Sequence, residues 1–487
     1  MDTSLVAIVL PEMMVDLSGD SAQMIWIMSS FLLVFSSLLL PAGALADRIG
    51  QRPLLMAGLV IFGAGALLGS FTSHLLVLCI MRGVQGAGAA LFLTPALAAI
   101  AAVYPEPEEA VTAWSIWGAV MGLFMILSPL LSAAVGYTLG WRWAFRMMVP
   151  LSIGLMVAVR IFFPVMQALS QRKFDWRGAL LFFLTLFSAV WLLIQLPQAG
   201  WSWLSITIAL FGIATFLLFI REEFAAVQPI LDIRLFRSSA FIGAVVAMIG
   251  YAAAAQVMMA LFPLYLQIGQ GMPLLPASVA VLPFALAMFL FPRVARILSR
   301  FLLSHQILGL GLLIIAGGNL ILAWFATGTT LAGVFLGMAV VGTGGGLING
   351  ETQKAIMTTM PPNRRGMASG VSTTTRFVSM LTGYAGLSAV MASGIQQALR
   401  ARVCDGLVKA CVVPHEMLTA VVSGRIVKQG AQGIVGYETA INSYRVGFES
   451  LHITAAMVAL LAAGVSVALA HRAGDHRNMA REPGISS

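Results

Sequence analysis

The chain has 487 residues, of which 59% are hydrophobic and only 10% are charged, and its mean hydropathy is +0.93. Soluble domains carry about 25% charged residues, so this composition excludes a soluble protein and indicates one that lies in a membrane. We interpret the net charge of +9 as attraction to anionic lipid headgroups rather than to nucleic acid. The sequence contains no cluster of metal ligands, no nucleophile with its base and no phosphate-binding loop. It therefore predicts neither an enzyme nor a cofactor.

Apolar runs of roughly 20 residues, the length that crosses a bilayer as a helix, recur along the whole chain. The first ten residues supply only half a crossing at about 1.5 Å per residue, so we expect helix 1 to be truncated or its start codon to be placed late. The sequence predicts an all-α polytopic membrane protein of fourteen helices, the first one short. The thirteen full crossings are expected at 24–45, 54–72, 75–103, 110–136, 145–166, 177–196, 201–220, 241–266, 274–292, 305–326, 330–350, 366–391 and 446–470.

The basic residues test this map, because cytoplasmic loops carry an excess of Lys and Arg. If the loop at 43–52 faces the cytoplasm, the inner segments collect 18 of the 28 basic residues. The short outer loops hold only Arg142 and Arg146. This bias predicts a location in the inner (cytoplasmic) membrane, with both termini in the cytoplasm.

Two polar linkers divide the predicted helices into groups of six, two and six. Two six-helix halves are typical of transporters that rock about a site at the membrane midplane, and a single irregular bundle is the alternative. The predicted domains are an N-terminal six-helix bundle at 1–166, a two-helix insertion with its linkers at 167–240, and a C-terminal six-helix bundle at 241–487 with a long outer loop at 396–446.

The chain has three cysteines. Cys79 lies within a predicted span and is most simply an apolar packing residue. Cys404 and Cys411 fall in the long outer loop, where an oxidising compartment would permit a disulfide. Spacing alone does not establish the geometry, so the pair is either bonded or free.

The loop at 43–52 reads Gly43-Ala-Leu-Ala-Asp-Arg-Ile-Gly-Gln-Arg52 and joins two apolar stretches. Its charges are too costly in hydrocarbon, so they fix the turn at a membrane surface, and its glycines permit a sharp reversal. The loop resembles the signature between helices 2 and 3 of the major facilitator superfamily.

Further segments are similar to the fourteen-helix drug:proton antiporter branch of that family, and together they cover nearly the whole chain. They are Asp2-Thr-Ser-Leu-Val-Ala-Ile-Val-Leu-Pro11 in helix 1, Arg82-Gly-Val-Gln-Gly-Ala-Gly-Ala-Ala90 in helix 4, Trp141-Arg-Trp-Ala-Phe145, Phe174-Asp-Trp-Arg-Gly-Ala179 before the insertion, and Leu231-Asp-Ile-Arg-Leu-Phe-Arg237 before the second half. The resemblance implies a major facilitator fold.

The resemblance also implies roles for charged residues inside the predicted spans, where each charge is costly. Asp2 would bind the coupling proton and Arg82 would tune it, although a structural arginine bonded to backbone carbonyls is the alternative for Arg82. The role of Asp2 depends on whether Met1 is the true start, because a free amino terminus changes the surroundings of the carboxylate. Arg376 matches a position where this branch commonly has arginine, either on the transport path or in packing.

We interpret the loop at 43–52 as a conformational latch rather than a substrate site. Asp47, Arg48 and Arg52 would form charge-assisted contacts with neighbouring helix ends, while Gly43 and Gly50 shape the turn. Charges that only set the topology are the alternative, but an Asp in an otherwise basic loop favours the latch.

Helix 5 departs from the family pattern. Antiporters of this branch usually carry Gly-Pro-x-x-Gly-Gly there, whereas this chain reads Ser128-Pro-Leu-Leu-Ser-Ala133. Pro129 can still bend the helix, and Gly118 with Gly122 adds a face for close packing. The departure leaves a facilitator-type uptake carrier or uniporter open as an alternative function.

The function that the resemblance implies is proton-coupled export of hydrophobic or cationic drug-like compounds. A non-transporting membrane sensor or an inactive truncated product is the alternative of another class, which the short first helix allows. The expected partners are membrane lipid, protons and a small-molecule substrate, with no nucleic acid. Whether a periplasmic adaptor protein also binds is left open.

Overall fold

The fold, taken from a computed structural model, is helical in nearly all of the described chain. The structure describes residues 2–17, 21–103, 138–163, 175–225, 233–328, 330–358, 365–403 and 437–479, with isolated positions between 120 and 136 and at 421. In chain order the helices are α1 (Asp2–Asp16), α2 (Ser21–Ile49), α3 (Gln51–Phe71), α4 (Leu75–Val103), α5 (Arg142–Arg146), α6 (Met148–Phe162), α7 (Trp176–Ala199), α8 (Trp203–Ala225), α9 (Ser239–Tyr251), α10 (Met258–Leu264), α11 (Leu274–Ala280), α12 (Leu282–Leu298), α13 (Ser304–Ala326), α14 (Leu331–Thr358), α15 (Arg365–Val403) and α16 (Tyr437–Met479).

Within the described residues, eleven helical segments are long and apolar enough to cross a membrane, and α2 adds a shorter apolar segment at Trp26–Leu39. Two π-helical turns, Ala252–Gln256 and Tyr265–Gly269, interrupt the crossing that starts with α9. The prediction of an all-α polytopic protein is therefore confirmed. The predicted crossing at 110–136 lies mostly outside the described residues, so the count of fourteen helices stays a prediction.

The crossings run between two ends of the bundle, which we name the Gly50 end and the Asp16 end. At the Gly50 end, α2 continues through Ile49, and Gly50 alone separates it from α3 with a φ of 98° that favours glycine. The prediction of a ten-residue turn was wrong in extent, because the Ala and Leu residues after Gly43 are strong helix formers. Gly43 lies inside α2, where an added methyl group would lie 3.4 Å from the Thr94 side chain.

The predicted loop at 396–446 was also wrong in extent. Helix α15 continues through Val403, since its last residues are mostly Gln, Ala, Leu and Arg, which favour helix. Helix α16 already begins at Tyr437. Residues 404–436 between these helices lie outside the described residues except for Val421, so the loop there stays a prediction.

Among the described residues, the helices before 166 pack against those after 241 in two regions. Near the Asp16 end, α1 packs against α10 and α11. Closer to mid-depth, α2 packs against α15, and the Phe35 and Phe377 rings meet edge to face with centroids 4.5 Å apart. We call this α2–α15 contact the seam. The three-part division of the chain stays a prediction.

The insertion helix α7 lies against both α2 and α15, while α8 packs against α7. On α7, the Phe187 ring lies 5.9 Å from the Trp26 ring of α2. Helix α8 exposes large apolar side chains such as Trp203, Leu210 and Phe216. Such a surface is stable only where lipid covers it, so α8 has the surface of a membrane-facing helix.

Candidate transport pathway

Arg82 lies on α4 and is fully buried. Its Nε donates to the backbone oxygen of Ile27 on α2 at 3.3 Å, and its Nη1 donates to Oε1 of Gln85 at 3.1 Å. Its Cζ lies 4.3 Å from the centroid of the Phe31 ring, a cation–π distance. We call these surroundings the Arg82 cage. The cage joins α4 to α2 through a backbone carbonyl, which is the structural arrangement that the sequence left open for this arginine.

Gly86 allows α2 and α4 to come close enough to form the cage. It lies one turn after Arg82 on the same face of α4, and a methyl group added there would overlap the Phe31 backbone oxygen. At Gly83 an added methyl group would only reach ordinary contact, 3.4 Å from Val34. Small residues are how membrane helices bring their backbones together, and here the close approach puts the Ile27 carbonyl within reach of Arg82.

Arg376 lies on α15 beside the seam residue Phe377 and is partly exposed. Its Nη2 donates to the backbone oxygen of Asn349 on α14 at 3.0 Å. Its Cζ lies 5.9 Å from the centroid of the Tyr251 ring, at the end of α9. Among the described residues, none of the ion pairs that form involves this guanidinium. Its charge is therefore not neutralised by a described carboxylate.

Arg376 and its two neighbours lie at a common depth. Tyr251, Asn349 and Arg376 are each about 14–18 Å from the Gly50 end of their helices, at a helical rise of 1.5 Å per residue. The hydrocarbon core of a bilayer is about 30 Å thick, so this cluster is near its middle. Arg82 lies about 10 Å from the opposite end of α4. The two arginines lie on different helices, α4 and α15, in different parts of the chain.

At the Gly50 end, the Nη2 atom of Arg52 donates to the backbone oxygen of Arg160 at 2.6 Å. Arg160 lies in the last turn of α6, so the contact joins the start of α3 to a neighbouring helix end. With Pro53 and Met56 these residues line an open cavity of about 500 Å³. This is the kind of contact expected of the latch, whose role in transport stays a prediction.

The remaining residues of the predicted site fall outside what the structure describes. Their roles stay predictions. They are the side chains of Asp2, Asp47 and Arg48, and the whole residues Gly118, Gly122, Pro129, Cys404 and Cys411.

A polar contact at the Asp16 end was missed by the sequence reasoning. Oδ2 of Asp16, the last residue of α1, accepts from Arg142 Nη1 at 2.7 Å and from Trp141 Nε1 at 3.0 Å. The indole hydrogen bond, together with the arginine, lowers the pKa of the Asp16 carboxyl below its usual 3.8. The Trp-Arg pair in the motif at 141–145 was the available signal, but nothing in the sequence named its partner.

A second missed contact braces the first π-helical turn. Nδ2 of Asn319 on α13 donates to the backbone oxygens of Ala254 at 3.1 Å and Ile315 at 2.9 Å. Its Oδ1 lies 2.9 Å from Nδ1 of His452 on α16, and both side chains are buried. Because the amide nitrogen already serves two carbonyls, the imidazole supplies the proton of this third bond. The pair ties the π-helical turn to α13 and α16.

These features define a multi-pass membrane protein with apolar crossings, a seam between two helix groups and a cation at mid-depth. The chain belongs to the Major Facilitator Superfamily, whose family model matches residues 1–384. The family resemblance drawn from the sequence motifs is thereby confirmed.

Proteins with known names are similar to this chain over most of its sequence. The chain is 28% identical over 403 residues to Multidrug resistance protein Stp of Mycobacterium tuberculosis, covering 82% of this chain and 74% of that one. It is 29% identical over 302 residues to the Methylenomycin A resistance protein of Bacillus subtilis, covering 61% and 64%. It is 26% identical over 426 residues to the Probable actinorhodin transporter of Streptomyces coelicolor, covering 84% and 73%.

Solved structures show the same fold. A bacterial homologue of the human lysosomal transporter Spinster, inward-facing and unoccupied, superposes with a TM-score of 0.64 at 16% identity, covering 96% of this chain and 93% of that one. A peptide transporter POT in complex with sulfate gives 0.62 at 16% identity, covering 97% and 92%. At such identities the likeness shows the fold alone, and it confirms the major facilitator fold.

Proposed function

We propose that this chain is a secondary active transporter that exports hydrophobic or cationic drug-like compounds in exchange for protons. Two of the relatives are named for resistance to drugs and a third for transport of actinorhodin, which supports export. The bias of basic residues supports a cytoplasmic-membrane location with the Gly50 end and both termini in the cytoplasm. Membrane lipid, protons and a small-molecule substrate are the corresponding partners.

The observation that carries the proposal is the seam, with Arg376 beside it near mid-depth. In transporters built from two halves, the substrate site lies at the midplane between them and alternating access arises from rocking. The contacts of α1 with α10 and α11 would then have to break when the Asp16 end opens. Such a cycle exposes the seam to one side of the membrane at a time.

In this cycle Asp2 binds the coupling proton, and Arg82 adjusts how tightly that proton is bound. The Arg82 cage supports an indirect action, because the arginine holds α2 against α4 through its bond to the Ile27 backbone oxygen. The latch at the Gly50 end would bias the two states through the Arg52 contact with α6. Each of these roles is part of the proposal.

Dye exclusion from energised cells tests the proposal. Cells that express the full chain are loaded with ethidium, which is cationic, or Nile red, which is neutral, and retained dye is measured with and without a protonophore. We expect lower retention than in control cells, loss of the difference with the protonophore, and loss of exclusion in Arg82→Ala. Arg221→Gln, at an exposed position on α8, is the matched control and should export normally.

The other outcomes contradict the proposal in distinguishable ways. Dye accumulation driven by the chain would identify an uptake carrier or uniporter. Equal retention with and without the chain, for both dyes and at normal membrane abundance, would favour a non-transporting protein. Exclusion that persists with the protonophore would overturn the proton coupling alone.

A further inference from the structure

We propose that Arg376, with the hydroxyls of Tyr251 and Ser372, binds the carboxylate of a hydrophobic organic acid. We call these three residues the anion subsite. The inference rests on the proposed transport function and revises its substrate class, because an organic acid fits this position whereas a cationic compound would meet a like charge there.

The charge of Arg376 favours an anionic ligand. A guanidinium has five N–H donors, and here the recorded hydrogen bond goes to a neutral acceptor, the Asn349 backbone oxygen. A charge at mid-membrane depth is costly unless it is paired, and within the described part of the chain no carboxylate pairs with it. A carboxylate ligand would supply that charge, and its two oxygens match the guanidinium fork.

Two buried hydroxyls near Arg376 also favour an anion. Tyr251 is 0% exposed and Ser372 is 1% exposed, and neither hydroxyl has a hydrogen-bond partner among the described residues. Ser372 lies one turn before Arg376, hence on the same face of α15, and the Tyr251 ring lies next to the guanidinium. A buried hydroxyl without a partner is unfavourable, and an anion can accept hydrogen bonds from both. All three groups can donate, which is the pattern that an anion requires.

Arg376 lies beside the aromatic rings of the seam. Phe377 follows Arg376 directly, and its ring contacts Phe35 of the other helix group. A ligand whose carboxylate lies at Arg376 can therefore place its apolar body against these rings. The subsite and the seam together fit an amphipathic aromatic acid.

Arg445, another arginine after residue 241, is held by two protein acceptors where Arg376 has one. Its Nε donates to the Gly269 backbone oxygen at 2.8 Å, and its Nη2 donates to Oε1 of Gln270 at 3.3 Å. Like Arg376, it bonds a backbone carbonyl of a neighbouring helix. It lies at the Asp16 end, away from the seam, which makes it a matched control for loss of an arginine.

The test compares an acid with its neutral amide. Purified full-length chain in detergent is titrated with 1-naphthoate and with 1-naphthamide, and the dissociation constants are taken from the ligand-induced rise in the thermal unfolding midpoint. We expect naphthoate to bind at least about tenfold more tightly than the amide, as hydrogen bonds to a charged group allow. Arg376→Gln should abolish this preference, and Tyr251→Phe with Ser372→Ala should reduce it.

The controls separate binding from folding. Arg445→Gln should lower the midpoint without ligand yet keep the preference for the acid. Arg376→Lys keeps the charge and should retain part of the preference for the acid. Equal binding of acid and amide, no binding of either, or a preference that survives in Arg376→Gln would overturn the inference. Because the measurement needs no proton gradient, its failure is distinct from a failure of dye export.

Discussion

Arg82 and Arg376 are two arginines inside the membrane-crossing helices of the same bundle, but their surroundings differ. Arg82 is 0% exposed and bonds Ile27 and Gln85 while it stacks on Phe31. Arg376 is partly exposed and bonds one backbone carbonyl, and the hydroxyls of nearby Tyr251 and Ser372 have no partner within the described part of the chain. An arginine in a membrane span thus joins helices where protein acceptors surround it. Where acceptors are few, it is suited to a ligand.

The strongest way to break the Arg82 cage is to separate its helices. Gly86→Ala places a methyl group on the Phe31 backbone oxygen, so α2 must move away from α4. We expect a loss of about 3 kcal/mol in the free energy of unfolding, as for other overpacked sites. Thermal unfolding of the purified chain measures it.

Gly83→Ala is the matched control for that substitution, since its methyl group would lie 3.4 Å from Val34. It should cost less than about 1 kcal/mol. Equal losses for the two glycine variants would show that the close approach at Gly86 is unimportant.

Removing the caged arginine itself should have the next largest effect. Arg82→Gln leaves the Ile27 carbonyl without its charged donor, and we expect a loss of about 2 kcal/mol, as charged hydrogen bonds allow. Arg82→Lys should be nearly as harmful, because an ammonium lacks the planar fork and the stacking face. An Arg82→Lys chain as stable as the wild type would contradict the cage.

Arg376→Gln should change the free energy of unfolding by less than about 1 kcal/mol. It removes one hydrogen bond to a backbone carbonyl and also relieves the burial of a charge, so the two effects offset each other. Thermal unfolding without ligand measures this. A loss as large as that of Arg82→Gln would make Arg376 a second structural arginine and would erase the contrast.

Arg142 is more exposed than either of these arginines. It forms an ion pair with Asp16, and the two side chains are 34% and 46% exposed. Asp16→Asn should cost only about 0.5 kcal/mol at neutral pH, as for surface ion pairs. Because its folded partners lower the pKa of Asp16 below 3.8, the ionised carboxylate stabilises the fold above that pH. The difference between wild type and Asp16→Asn should therefore disappear as the pH falls below 3.8. A difference that persists in acid would assign the effect to packing instead.

The crossings could be predicted from the sequence because a helix in lipid must satisfy its own backbone hydrogen bonds over a fixed length. The expected span at 305–326 matches α13 (Ser304–Ala326), and the one at 54–72 matches α3 (Gln51–Phe71). Helix ends were harder, because α2 continues through charged residues that the sequence pattern assigned to a turn. Hydropathy marks where the hydrocarbon ends, whereas a helix continues beyond it.

The candidate site was only partly predictable. Arg82 and Arg376 were both recognisable as charges inside spans, but the acceptors that distinguish them are the backbone oxygens of Ile27 and Asn349, which no residue type reveals. Tyr251 is an ordinary aromatic residue in the sequence of its own helix. It becomes notable only because it lies at the same depth as Arg376, more than a hundred positions later, and next to it. Such pairings depend on tertiary packing, for which one sequence carries no signal.

Helix α7 contacts α2 and α15, the same two helices that form the seam. On the side that α7 covers, α2 and α15 could separate only if one of them lost its contact with α7. The Phe187 ring of α7 packs on Trp26 of α2, which opposes such a loss. Rocking should therefore turn about an axis near α7, with the gap between the halves widest on the opposite side. The two helix groups would then open about a hinge near α7 rather than move apart uniformly. A compound would enter and leave mainly at the edge remote from α7.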